Sequence, residues 1–386
     1  MSNNLNDHSI RDHALLSASS AHRWLACPPS AVAADMYQEE TSEYAAEGTV
    51  AHEVAEQIAR ARLEGKPHTV KPDPEQGVNA EMIECGEAYA DYIMEKITDP
   101  NAVVLLEQKL DFSNWVPGGF GTGDCCIVQG KRVTTIDYKY GEGVRVNASG
   151  NPQMGLYALG ALDLFDGLYE IEEVEKAIFQ PRMDNISEEV ECVVDLLDWA
   201  SNTVKPIAVK AAQGKGKHTP GEHCRFCPHA GRCRALAKLC TDTAKRLDGK
   251  KVKVECLAPF EITEILELEP LLTMAIKKIK AYAMDTLLSG GEVPGYKVVE
   301  GKQGNRQWIS ELMACKAFEE AGYSKDDITE TKLLSPAQME KALGKKKIAE
   351  IMEANTQRAP GNPALARDTD PRPAYNRLEA AIADFD

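Results

Sequence analysis

Three cysteines crowd into ten residues at Cys224, Cys227 and Cys233, a C-x2-C-x5-C run with Pro228 directly after the second. Thiols spaced this closely face one another or a shared metal, so the chain around them must fold back on itself. Three sulfurs leave a fourth position open. Within the segment Cys240, His223 and His229 could fill it and complete a small zinc site, while far upstream stands Cys27, followed by Pro28. The choice decides between a local knuckle and a long-range clasp. Structural disulfides are not the expectation for these eleven cysteines. The N-terminal stretch MSNNLNDHSIRDH lacks the basic start and apolar run of a signal peptide, so the expected compartment is the cytoplasm, where thiols stay reduced. Cys85, Cys125, Cys126, Cys192, Cys240, Cys256 and Cys315 are scattered and read as small buried apolar residues.

The chain has 386 residues, room for two or three domains, and its 43% hydrophobic and 27% charged residues are those of a folded protein. No apolar run approaches the ~20 residues that span a bilayer. The 44 Lys and Arg against 60 Asp and Glu leave a formal charge of -16, which excludes a protein that coats nucleic acid indiscriminately. A local site is not excluded. From Lys215 to Glu255, 11 basic residues face 4 acidic ones, a net of +7 inside an acidic chain and a possible footprint for a polyanion around Arg225, Arg232, Arg234 and Lys238.

Apolar periodicity predicts helices from about Ala46 to Leu63 and from Asn79 to Lys96, then strands at Val103 to Leu110, Gly123 to Val128 and Arg132 to Tyr138. A helix follows from Asn151 to Phe165, with Pro152 in its first turn, then a strand from Val174 to Gln180 and a helix from about Glu189 to Gln213. The core order is therefore α-β-β-β-α-β. After Leu257 the pattern turns to long amphipathic helices, with a hairpin expected near Gly295 to Trp308. The closing stretch APGNPALARDTDPRPAYN reads as extended or mobile.

Two of the strands carry Gly121-Thr122-Gly123-Asp124 and Ile136-Asp137-Tyr138-Lys139. Residues two apart on a strand share a face, so Asp137 and Lys139 project together. Two carboxylates suit a hard divalent cation, and an ammonium beside them suits the charge that develops when a phosphodiester is attacked. Asp-x-Lys alone is common at exposed strand ends. Here it is joined by His52 on the first helix and by Gln153 and Tyr157, four apart on one face of the helix that follows. Glu53 and Glu56 are positioned to orient His52. Glu107 stays outside the site in this reading, as a supporting carboxylate or half of a surface pair with Lys109.

On these motifs the chain resembles the PD-(D/E)xK nuclease superfamily, in particular the RecB-like branch that includes the AddB-type and CRISPR-associated iron-sulfur exonucleases. The resemblance spans roughly residues 15 to 240. It implies a restriction-endonuclease-like core, a mixed sheet flanked by helices. It implies that His52, Asp124, Asp137 and the backbone carbonyl of Tyr138 hold Mg²⁺ or Mn²⁺, that Lys139 is the catalytic lysine, and that Gln153 and Tyr157 position the lysine or the nucleic-acid backbone. The first acidic motif departs mildly, as Gly-Thr-Gly-Asp in place of Pro-Asp. The iron-sulfur members draw one cysteine from before the core and three from after it. The resemblance therefore implies a [4Fe-4S] cluster on Cys27, Cys224, Cys227 and Cys233, with Zn²⁺ the alternative.

The function this implies is a metal-dependent DNA exonuclease, of a phage or prophage type, acting in replication or recombination. No P-loop occurs, so a helicase or single-strand-binding protein would be a separate partner, and no membrane partner is expected. The alternatives are a non-catalytic nucleic-acid-binding scaffold of the same fold and a zinc-stabilised adaptor. The expected layout is a nuclease domain with its cysteine clasp over residues 1–250, a mainly helical accessory domain over 251–356, and a tail over 357–386.

Overall fold

Strands of alternating polarity and helices of 3.6-residue periodicity build an α/β architecture. The computed structural model describes residues 14–37, 43–249 and 259–299, scattered positions between 313 and 344, and the segment 349–356. Two short helices, α1 (Ala21–Ala26) and α2 (Ser30–Asp35), precede two long ones, α3 (Glu43–Leu63) and α4 (Ala80–Lys96). Three strands follow, β1 (Val103–Asp111), β2 (Phe120–Gln129) and β3 (Arg132–Tyr138), then α5 (Pro152–Phe165), β4 (Glu173–Gln180) and β5 (Asn185–Cys192). The described helices continue with α6 (Val193–Trp199), α7 (Lys205–Ala212), α8 (Arg234–Gly249) and α9 (Pro259–Leu288).

The five strands form one mixed sheet in sequential order, β1-β2-β3-β4-β5. The β3–β4 pair is parallel, because α5 carries the chain back across the sheet between them, and the other pairs are antiparallel. Helices cover both faces, so the central strands are buried on both sides. Ile127 and Ile136 pack beneath Ala51, Val54, Ile58 and Tyr89 of α3 and α4. Cys126, Val128 and Val133 pack on the other face with Met154, Leu156 and Leu159 of α5. Cys125 and Cys126 are thus packing residues, one per face.

Helix α5 starts where Asn151 caps it, its side chain accepting from the Gln153 amide at 3.0 Å, with Pro152 pre-set in the first turn. Being buried nearly all round, it can hold its polar residues only where they are paired. It lies close to β1 at Gly160, where an added Cβ would fall 2.8 Å from Leu110 Cβ.

One expectation fails. Residues Glu189–Cys192, expected to open a helix, belong to β5, whose eight residues pair antiparallel with β4. Its glutamates face lysines of neighbouring elements: Glu188 meets Lys96 at 2.8 Å, and Glu189 and Glu191 meet Lys176 at 2.6 and 2.5 Å. Tertiary pairing outweighs the helix propensity of a glutamate-rich stretch. The helix begins only at Val193.

By compactness the chain divides into two units, Met1–Thr331 and Lys332–Asp386. In the first, α9 packs Leu271, Met274 and Ala275 against Cys224 and Cys227. In the second, the described residues include α10 (Ala349–Asn355). The expected boundary near residue 250, most of the expected hairpin and the expected tail fall outside the described residues. The part of the hairpin segment that is described, 295–299, holds no strand.

Candidate metal centre and cysteine cluster

The sheet opens where β2 and β3 carry their aspartates. The ladder between them runs from Gln129 opposite Arg132 to Cys125 opposite Ile136 and stops one residue short of Asp124 and Asp137. Beyond that point a side chain takes over the pairing, and Asp124 Oδ2 accepts from the Tyr138 amide at 2.6 Å. The β1–β2 ladder also skips one pair, Glu107 opposite Asp124, before resuming at Gln108 opposite Gly123. Glu107 has a positive φ of 50°, a conformation that non-glycine residues adopt at a cost of order 1–3 kcal/mol.

Into this opening α3 brings His52, whose Nδ1 lies 3.5 Å from Asp124 Oδ1. His52, Glu107 and Asp124 each offer a ligand atom, all within 4.8 Å of one another. Asp137 stands beside them, its side chain 4% exposed, with Oδ1 accepting from Gln153 Nε2 at 3.0 Å and Oδ2 at 2.8 Å from Lys139 Nζ. The Oδ2 contact is an ion pair and does not have hydrogen-bond geometry. Gln153 Nε2 also donates to Tyr157 Oη at 3.3 Å.

The charges respond to one another. Burial draws the His52 imidazole down, but the hydrogen bond and charge of Asp124 outweigh it and hold the ring above its ordinary value. Burial pushes the Asp137 carboxyl up, against the pull of Lys139. Glu107 is pushed up to about 7 by burial, then by Asp124 and Glu56. Carboxylates forced together against their own repulsion are a site short of positive charge. One imidazole nitrogen and several carboxylate oxygens form the donor set of a hard or borderline divalent ion, so the residues present fit Mg²⁺ or Mn²⁺.

The structure therefore brings His52, Asp124, Asp137, Lys139, Gln153 and Tyr157 into one constellation. Tyr138 enters through its amide, its ring buried against Tyr89, Phe179 and the edge of His52. Glu56 pairs with Arg60 at 2.6 Å and is not bonded to His52. Glu107 is the residue sequence reasoning missed. No motif marks it, and its strand spacing alone looked like a surface pair.

The cysteines lie apart from this group, where α1, α2 and α9 pack on the segment after α7. Cys224 is buried on a 3₁₀ turn, Glu222–Phe226, and Cys227 is buried at its junction with a second, Pro228–Arg232. Helix α1 packs on the first turn and α2 on the second. Burial pushes the Cys224 and Cys227 thiols up, and charge on Cys27 and Cys233 would push both the same way, which puts the four sulfurs in one neighbourhood. Cys27 Sγ lies 3.9 Å from His218 Nδ1, and Cys240 packs at the edge of the same group. Among the described residues no three of these sulfurs come within 4.8 Å of one another. Arg225, Arg232, Arg234 and Lys238 are exposed around the group.

Fold and site together define an α/β protein with a mixed five-stranded sheet, flanked by helices, and a histidine-carboxylate group able to hold a metal at the sheet's open end. The chain belongs to the family described as "Protein of unknown function (DUF2800)", whose model matches residues 13–373. A solved structure titled "Crystal structure of SSO0001" is similar at 13% identity, covering 56% of this chain and 96% of that one, with a TM-score of 0.22. Among the described residues no helix is long and apolar enough to cross a membrane.

Proposed function

We propose that the protein is a divalent-cation-dependent deoxyribonuclease, an exonuclease of the RecB-like type serving phage replication or recombination. The observation that carries this reading is the meeting of Asp124, Asp137 and Lys139 with His52 where β2 and β3 part. A divalent cation held by His52, Glu107 and Asp124, with Asp137 beside them, would supply Lewis-acid polarisation of a phosphate oxygen and a more acidic water. The remaining work belongs to side chains. Gln153 holds Asp137 by Oδ1, which leaves Oδ2 turned to Lys139. Lys139, about a third exposed, is charged and reaches both Asp137 and incoming substrate, so its ammonium stabilises charge growing on the attacked phosphate. Tyr157 fixes the Gln153 amide.

The four cysteines support a structural [4Fe-4S] cluster joining the chain before the core to the chain after it. Four thiolates suit a four-iron cluster and a tetrahedral zinc alike, and iron and zinc content decides between them. The experiment is digestion of end-labelled single- and double-stranded DNA with Mg²⁺ or Mn²⁺. The imidazole ligand makes Mn²⁺ at least as effective as Mg²⁺. Activity that survives excess EDTA would refute the reading.

A further inference from the structure

A cavity of about 630 Å³ opens beside the cysteine turns, lined by residues that take no part in the metal-capable group. One wall is α1 and the turn before it, with Ser17, Ser19, Ser20, His22 and Arg23. The other carries His223 and Phe226 of the first cysteine turn, with Tyr37 after α2. The wall groups are held in place. Arg23 Nη1 donates to the Ser30 carbonyl at 2.7 Å, Ser17 Oγ donates to Ser20 Oγ at 2.9 Å, and Tyr37 Oη lies 3.1 Å from His229 Nδ1. Phe226, by contrast, is 69% exposed at the rim, with the Arg225 guanidinium 5.6 Å from its ring centre.

The chemistry of the lining selects its ligand. Ser17 and Ser20 spend their protons within the turn, Ser17 on Ser20 Oγ and Ser20 on the Ser17 carbonyl, so the guanidinium of Arg23 and the exposed Ser19 hydroxyl are the donors left for a phosphate oxygen. An exposed phenyl ring beside it is a platform on which a flat, uncharged ring can stack. Asp35, the one acidic residue in the lining, can accept from a base or sugar donor. A phosphate and a flat ring joined together are a nucleotide, and the exposed Arg232 and Arg234 nearby extend the basic surface beyond one unit. About 630 Å³ admits one or two unstacked nucleotides, within the usual range of ligand sites.

The turn that lines the cavity also packs against the strand that carries Asp124. Ala18, between Ser17 and Ser19, lies against β2 at Gly121, where an added Cβ would fall 3.6 Å from Ala18 Cβ and 2.9 Å from the Tyr157 ring. Gly121 is three residues before Asp124. We propose that this cavity anchors a short single-stranded stretch of nucleic acid, with Arg23 and the Ser19 hydroxyl on a phosphate and Phe226 stacked on a base. That the strand then runs toward Asp124 rests on the nuclease reading.

The test is fluorescence anisotropy of a labelled oligothymidylate of about 20 nucleotides with full-length, anaerobically purified protein, in EDTA so that nothing is cut. Phe226→Ala and Arg23→Gln are each expected to weaken binding about fivefold or more, and Arg23→Gln to lower the salt slope by about 0.7. Arg23 also supports the Ser30 carbonyl, so Phe226→Ala and the exposed Ser19→Ala keep the test open if Arg23→Gln misfolds. Unchanged affinity and salt slope in the folded variants would overturn the proposal. So would capture of inorganic phosphate with oligonucleotide affinity indifferent to Phe226, which would make the cavity an anion pocket only. Because binding is read without cleavage, protein that binds through the cavity yet cuts no DNA would refute the nuclease and keep the cavity. Cleavage with unaltered binding in every variant would do the reverse.

Discussion

Asp137 is the residue on which the site turns, because it is buried with one oxygen on Gln153 and the other beside Lys139. A strand parity argument already puts Asp137 and Lys139 on one face, so this pair is legible in sequence. Glu107 is not. Its role depends on a positive φ and on Asp124 standing opposite it on the adjacent strand, and both arise only once β1 and β2 pair. Glu107→Gln keeps the shape and removes the charge. In calorimetric titration it is expected to weaken Mn²⁺ binding about tenfold or more while leaving the thermal midpoint of the metal-free protein equal or higher, since a carboxylate crowded by Asp124 and Glu56 is lost. Unaltered Mn²⁺ affinity would remove Glu107 from the site.

At the scale of elements, the three-strand meander and α5 follow from sequence because short apolar, β-branched runs and one long apolar run stand between turns marked by Gly-Lys and Asn-Pro. Strand β5 does not, because its alternation is carried by glutamates whose partners Lys96 and Lys176 are far away in the chain. Those ion pairs make β5 acid-sensitive. Burial opposes ionisation of Glu188 and Glu189, but Lys96 and Lys176 outweigh it and hold both below the ordinary carboxylate value of 4.5. Groups depressed on folding stabilise the fold fully above that value and lose the contribution as pH falls through it. The urea midpoint is therefore expected to fall between about pH 6 and about pH 3, and to fall less in Lys176→Met. An identical slope in the variant would show that the pairs contribute nothing. Gly160→Ala probes the other face. Its methyl would meet Leu110 backbone as well as side chain, and a loss of about 1–3 kcal/mol in chemical denaturation is expected; a neutral result would mean that α5 and β1 can part freely.

Across the whole molecule, charge and cysteines act together. A chain of net -16 concentrates exposed basic residues around the thiols, and under the proposed reading the segment that clasps the core also offers its surface to a polyanion. The C-x2-C-x5-C run is legible from its spacing alone, whereas Cys27 as a fourth member is implied only by the family resemblance; in the folded chain Cys27 is near enough for its charge to act on Cys224 and Cys227. Anaerobically purified protein is expected to be brown with about four irons per chain, to lose them in Cys27→Ser and to keep them in Cys240→Ser. A colourless protein with one zinc that depends on Cys240 would replace the clasp by a local knuckle. The central claim, that the open end of the sheet hydrolyses DNA, is tested most directly by Lys139→Met. Single-turnover cleavage of end-labelled DNA and Mn²⁺ titration would be measured on the same preparation. The account predicts no detectable cleavage together with Mn²⁺ binding as tight as wild type or tighter, because a cation no longer competes with Lys139 for Asp137. Cleavage at the wild-type rate in this variant would contradict it.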